Sequence, residues 1–164
     1  KYCIDSINLN NNKPFINLYL ADSFLQNDES KKALKVLDDI KKRSRDQNYY
    51  FLKGNILQSL NNHDKAIENY NKAINIEKNF MGALLNRAWS RYQTNDLDGA
   101  LSDTDKVLNL EINNSFALNT RGLTKYKLGD FINGCLDLQK ASNLDLKEAK
   151  EYLKSKEGKW CNKD

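Results

Sequence analysis

Residues 54–80, GNILQSLNNHDKAIENYNKAINIEKNF, are followed at a spacing of 34 residues by AWSRYQTNDLDGALSDTDKVLNLEINNSF from Ala88, and again by GLTKYKLGDFINGCLDLQKASNLDLKEA from Gly122. Four columns stay in phase: Gly54, Ala88 and Gly122; Ala66, Ala100 and Gly134; Ala73, Val107 and Ala141; Ile76, Leu110 and Leu144. A period of this size is the mark of stacked repeats, each one supersecondary unit that buries its apolar face against its neighbours. An earlier copy, shifted by one residue, contributes Ala21, Phe24, Ala33, Leu37 and Ile40. Ahead of Pro14, Ser6-Ile7-Asn8-Leu9 matches Ala73-Ile74-Asn75-Ile76, so residues 1–9 read as the tail of a further copy. A chain that opens inside a repeat, on Lys1, is expected to be a fragment or a processed product.

Within each copy the apolar spacing is helical. Ala66, Ile67, Tyr70, Ala73 and Ile74 lie on one face of a 3.6-residue period, and Ala100, Leu101, Thr104, Val107 and Leu108 repeat the pattern. Between the two helical stretches of each copy stand Asn27-Asp28, Asn61-Asn62, Asn95-Asp96 and Gly129-Asp130. Asn and Gly tolerate the left-handed conformation that ends a helix, and Asp or Asn caps the next one. Each copy is therefore predicted to be a helix, a tight turn and a second, antiparallel helix. The Gly and Ala columns mark where the two helices cross too closely for a larger side chain.

These residues resemble the tetratricopeptide repeat family. The resemblance implies an all-α fold, a right-handed α-α superhelix of antiparallel helix hairpins. It implies repeats at 14–46, 47–80, 81–114 and 115–145 within a single domain, after a terminal half-repeat at 1–13. Residues 146–158, in which Leu146, Ala149 and Leu153 would cover the last repeat, resemble the capping helix of such arrays, with 159–164 as a tail. The sequence departs from the family pattern in two columns. The proline usual after the second helix is replaced by Lys78, Ile112 and Lys147, and Arg91 and Lys125 stand where the family prefers an aromatic residue. The last repeat is similar in style to bacterial, Bacteroidetes-type envelope and lipoprotein members. That leans the expected compartment toward the cell envelope rather than the cytoplasm.

Composition narrows the function classes. The chain has 164 residues and a net charge of +4, with a single histidine, His63, which leaves no two-histidine metal site. His63 falls at a turn and is expected to be exposed. A glycine-rich phosphate loop, a nucleophile motif and a histidine set between paired carboxylates are all missing, so neither catalysis nor a cofactor is expected. No apolar run approaches the roughly 20 residues of a membrane helix. The surplus of positive charge is too small to suggest nucleic acid, and the run Lys41-Lys42-Arg43-Ser44-Arg45 reads as a helix C-terminus favoured by the helix dipole. Cys135 falls where other copies place Leu or Ile and reads as a buried thiol. Alternatively, it pairs with Cys161, if the last helix folds back in an oxidising compartment.

Two further columns are charged: Arg87 and Arg121, and 16 residues on, Asp103 and Asp137, replaced together in the preceding copy by Lys53 and Asn69. They read as ion pairs joining the two helices of a repeat. Family members bind partners on the concave face of each first helix, which here assigns Leu18, Asp22 and Leu25; Phe51, Asn55 and Gln58; Leu85, Trp89 and Tyr92; and Asn119, Leu123 and Tyr126. Aromatic anchors in a shallow groove suit a peptide, and Asn55, Asn86 and Asn119 can hold its backbone. The two-carboxylate clamp of chaperone-binding members is not reproduced. Phe51 stands at its first lysine, and Phe116 and Thr120 at its final basic pair. The expectation is a non-catalytic protein-interaction module binding a peptide or amphipathic helix of a partner. The alternative is a structural or self-associating segment of a larger scaffold.

Overall fold

The computed structural model of the chain describes residues 13–40 and 45–162. The half-repeat read at residues 1–9 lies outside them, as does the basic run except for Arg45. Among the described residues every regular element is helical: α1 (Lys13–Gln26), α2 (Ser30–Asp38), α3 (Gln47–Ser59), α4 (His63–Ile76), α5 (Met81–Gln93), α6 (Leu97–Leu110), α7 (Ser115–Lys127), α8 (Phe131–Asn143), α9 (Lys147–Lys154) and a 3-10 helix at Lys159–Asn162. They fall into two compact units divided between Glu77 and Lys78.

The turns form for the reasons the sequence suggested. Asn61, Asn95 and Gly129 take the left-handed conformation, with φ of 57°, 65° and 86°. The residue after each, Asn62, Asp96 or Asp130, accepts a hydrogen bond from the backbone N–H three residues on. Asp46 and Asn114 cap α3 and α7 in the same way. Each cap contributes about 1 kcal/mol. The first hairpin differs by one place. Its left-handed residue is Asp28 (φ 58°) rather than Asn27, and Glu29 begins α2 without a side-chain cap. The one-residue shift of this copy accounts for the change, since it sets Asp28, not Asn27, opposite Asn61. His63 is the first residue of α4 and is half-buried, not exposed.

In the first unit, Ala21, Ala33, Leu37, Ile40, Tyr49, Leu52 and Ile56 form the core, with Leu18, Phe24 and Leu25 packed against it. α3 and α4 cross at Gly54, where an added Cβ would overlap the ring of the fully buried Tyr70. The ring thus takes the place that the sequence reading gave to partner backbone. In the second unit the crossing is backbone against backbone. A Cβ at Gly122 would lie 2.8 Å from the Gly134 carbonyl oxygen and 2.8 Å from Leu138 Cγ. Tyr70, Thr104 and Leu138 occupy one column of the repeat. The glycines Gly54 and Gly122 face its bulkier members, and Ala88 shares a copy with the smaller Thr104.

The charged columns pair as expected, and each pair gains a third member. Asp103, fully buried, accepts from Arg87 Nε and Nη2 at 2.7 and 2.6 Å and from Arg91 Nη1 at 2.8 Å. Asp137 accepts from Arg121 Nε and Nη2, both at 2.8 Å, and from Lys125 Nζ at 2.8 Å. Arg91 and Lys125 replace the family's aromatic residue because they supply the second cation to a buried carboxylate. Burial alone would raise the Asp137 carboxyl, but the hydrogen bonds and charges of Arg121 and Lys125 outweigh it and hold the group below the ordinary carboxylate range. In the copy that lacks these columns, Lys53 instead reaches Asp38 of α2 at 3.0 Å, and Asn69 bonds to the Lys65 carbonyl at 2.8 Å.

At the C-terminal end Leu146 and Ala149 are buried against the last hairpin. The helix stops at Lys154, short of residue 158, because Ser155 turns extended (ψ 168°) and its hydroxyl takes the Tyr152 carbonyl at 2.7 Å.

Two outcomes follow. Gly122→Ala is expected to lower the unfolding free energy in urea by about 1–3 kcal/mol through overpacking. A gain of about 1 kcal/mol, which helix propensity alone would give, would contradict the close crossing. A carboxyl with a lowered folded pKa stabilises fully above its unfolded value, near 4, and loses that contribution as pH falls through the folded value. The wild type should therefore lose stability relative to Asp137→Asn as pH drops below about 4. A constant difference between the two proteins over that range would refute the assignment.

Candidate functional site

In the first unit, α1 and α3 present the same spacing. Phe15, Leu18, Tyr19 and Asp22 stand at i, i+3, i+4 and i+7 of one helix, and Asn48, Phe51, Leu52 and Asn55 repeat this 33 residues later. Such positions share one helix face. Together these eight residues line a pocket of about 240 Å³. That is smaller than the roughly 300–1,000 Å³ of a typical small-molecule site. Phe15 and Tyr19 are 60% and 74% exposed, so the pocket opens onto an aromatic rim. Of the residues assigned from sequence, Leu18, Asp22, Phe51 and Asn55 line the pocket, whereas Leu25 packs on the core. Gln58 stands beside the pocket and not in its wall. The Tyr70 hydroxyl from α4, with one proton to donate, sits 2.9 Å from Asn55 Oδ1 and 2.8 Å from Gln58 Oε1 and orients both amides.

In the second unit the face of α5 carries Trp89 stacked on Tyr92, with ring centroids 5.3 Å apart and planes at 24°. Lys127 Nζ lies 3.9 Å from the Tyr92 ring centroid and donates to the Tyr92 carbonyl at 3.3 Å. Burial, with Tyr152 beside it, pushes the Tyr92 phenol above its ordinary pKa. Trp89, Tyr92, Leu85, Asn86 and Asn119 are all half-buried. Leu123, assigned to the groove from sequence, is instead buried at 9% exposure. Its counterparts in the column, Asn55 and Trp89, are half-buried.

That segment also takes Tyr126. Trp160 stacks on it with centroids 4.4 Å apart and planes at 16°, Phe131 packs at 5.5 Å, and the indole N–H donates to the Tyr152 hydroxyl at 3.2 Å. A disulfide between Cys135 and Cys161, with Cα atoms 5.1 Å apart, pins the 3-10 helix in place. Cys135 is thus the partner of Cys161 and not a buried thiol. Trp160 lies outside the repeat period, so the pattern could not assign it. The one signal in the sequence was Cys161 beside it, since pairing with Cys135 carries residue 160 onto α8.

Among the described residues no group of three His, Cys, Asp or Glu side chains could hold a metal ion, and no helix is long and apolar enough to cross a membrane.

Residues 47–80 match the family model for the tetratricopeptide repeat. No curated protein matches the chain in sequence. Among solved structures, MamA from Desulfovibrio magneticus RS-1, residues 41 to the end, is 18% identical with a TM-score of 0.77, covering 92% of this chain and 89% of its own. YrrB, a tetratricopeptide protein with an unusual peptide-binding site, is 18% identical with a TM-score of 0.73, over 82% of this chain and 71% of its own. The second tetratricopeptide domain of human RPAP3, solved with the HSP70 peptide SGPTIEEVD, is 16% identical with a TM-score of 0.64, over 69% of this chain and 95% of its own.

Reducing the disulfide should free Trp160 from Tyr126. In a Trp89→Phe background the remaining indole emission is expected to shift to the red, with a loss of about 3 kcal/mol in unfolding free energy for a loop of this size. Unchanged emission and an unchanged urea midpoint after complete reduction would show that the stack does not depend on the bond. Residues 47–80 thus match one tetratricopeptide repeat, and the helices of the chain share the fold of solved tetratricopeptide proteins.

Proposed function

We propose that the chain is a non-catalytic protein-interaction module that binds a peptide or amphipathic helix of a partner on the faces of its first helices. The observation that carries this reading is the α1–α3 pocket. Two helices in the same register hold an apolar floor of Leu18, Phe51 and Leu52 beside the amides of Asn48 and Asn55. Apolar side chains supply the burial that drives association, and amides match the donors and acceptors of a peptide backbone. The peptide-bound RPAP3 domain and the peptide-binding YrrB share the fold, which supports the same use here. In the second unit the stacked pair of Trp89 and Tyr92 offers a separate aromatic face to a partner.

Peptides selected from a displayed random library against the folded protein provide the test. Phe51→Ala is expected to weaken the selected peptides about tenfold or more, as for an interface anchor, with wild-type amide shifts confined to α1 and α3. Peptides that bind Phe51→Ala as tightly as wild type, or that shift only α2 and α4, would refute the pocket as the binding site.

A further inference from the structure

The wall of the α1–α3 pocket carries a single charge. Of its eight lining residues only Asp22 has a charged side chain; the others are Phe15, Leu18, Tyr19, Asn48, Phe51, Leu52 and Asn55. Asp22 is half-buried, and its Oδ2 accepts from the neutral Gln26 amide at 2.8 Å. Among the described residues no cation pairs with it. Lys53 of α3 is engaged elsewhere, by Asp38 at 3.0 Å, and rests 5.7 Å from the Tyr49 ring centroid. The hairpins of the second unit treat their buried carboxylates differently, giving Asp103 and Asp137 two cations each. Asp22 is therefore a carboxylate in an apolar, aromatic-rimmed pocket whose counter-charge the described chain does not supply.

We propose that this pocket selects a peptide in which a large apolar side chain stands beside a lysine or arginine. The apolar group enters between Leu18 and Phe51 and the cation reaches Asp22. The inference rests on the peptide-binding reading above and specifies its ligand. An acidic peptide would place like charge against Asp22 with no basic residue in the wall to compensate, so the pocket discriminates by repulsion as well as attraction. The exposed rings of Phe15 and Tyr19 favour the same choice, because an aromatic face attracts ammonium and guanidinium groups. This preference is opposite in sign to the acidic peptide bound by the RPAP3 domain.

The test uses the peptides selected from the displayed random library, the wild-type protein, Asp22→Asn and Phe51→Ala. Asp22→Asn keeps the size of the side chain and its bond to Gln26, and thermal melts confirm its fold. The selected sequences are expected to be enriched in lysine or arginine next to the apolar anchor. A synthetic peptide of that kind should bind Asp22→Asn roughly three- to fivefold more weakly than wild type. Its affinity for wild type should fall with added salt, and replacing its cation with glutamate should weaken binding by roughly tenfold or more. Selected peptides without basic enrichment, or cationic peptides that bind Asp22→Asn as well as wild type, would overturn the inference. If those peptides still required Phe51, the pocket would stand as a binding site without charge preference. If no selected peptide depended on Phe51, both readings would fall together.

Discussion

The distance between the two helices of a hairpin is set where they cross, and every other feature of the structure depends on it. At Gly122 and Gly134 the two backbones face each other with no Cβ between them. At Gly54 the gap is filled by the ring of Tyr70, so one small residue makes room for one large one. Helix pairs pack at roughly 8–10 Å depending on the side chains at the contact, and at Gly122 a Cβ would meet the facing Gly134 carbonyl oxygen at 2.8 Å. The close crossing lets Arg121 reach Asp137 with both arms of the guanidinium. The crossing at Gly54 likewise brings the Tyr70 hydroxyl between Asn55 and Gln58, so it fixes the amide on the pocket wall.

The buried carboxylates show how a repeat tolerates charge in its interior. Removing Asp103 from water is costly, and bidentate geometry plus a second cation offset that cost. The net contribution to stability is small compared with the penalty for leaving one partner alone. The pairs therefore act mainly to hold register between the helices of a hairpin, since a one-residue slip would strand an ion. The α3–α4 hairpin reaches the same end with a neutral device, the buried Tyr70.

Features set by local chemistry were legible in the sequence. The turn residues Asn61, Asn95 and Gly129, the caps that follow them, and the small columns all act within a few residues or within one hairpin. Even the misplaced turn at Asn27 was recoverable, because the one-residue shift of the first copy was visible. What the pattern missed was set by tertiary contact. Arg91 and Lys125 looked like departures from the family until the buried aspartates explained them. Tyr126 shares the helix phase of surface residues, yet a C-terminal segment outside the repeat covers it, carrying Trp160 with it. The pocket was half legible: phase gave Leu18, Asp22, Phe51 and Asn55, but Phe15, Tyr19, Asn48 and Leu52 follow only from how α1 and α3 sit side by side.

A rigid hairpin spacing is what turns a set of helix faces into a surface with fixed chemistry. The most direct measurement of that spacing is a proton NOE spectrum of the folded chain in solution. Strong cross-peaks are expected between the Gly54 α-protons and the Tyr70 ring, and between Gly122 and Gly134, with the Gly54 signal moved upfield by the ring. Absence of those cross-peaks in an otherwise helical, well-dispersed spectrum would contradict the close crossing on which the whole arrangement stands.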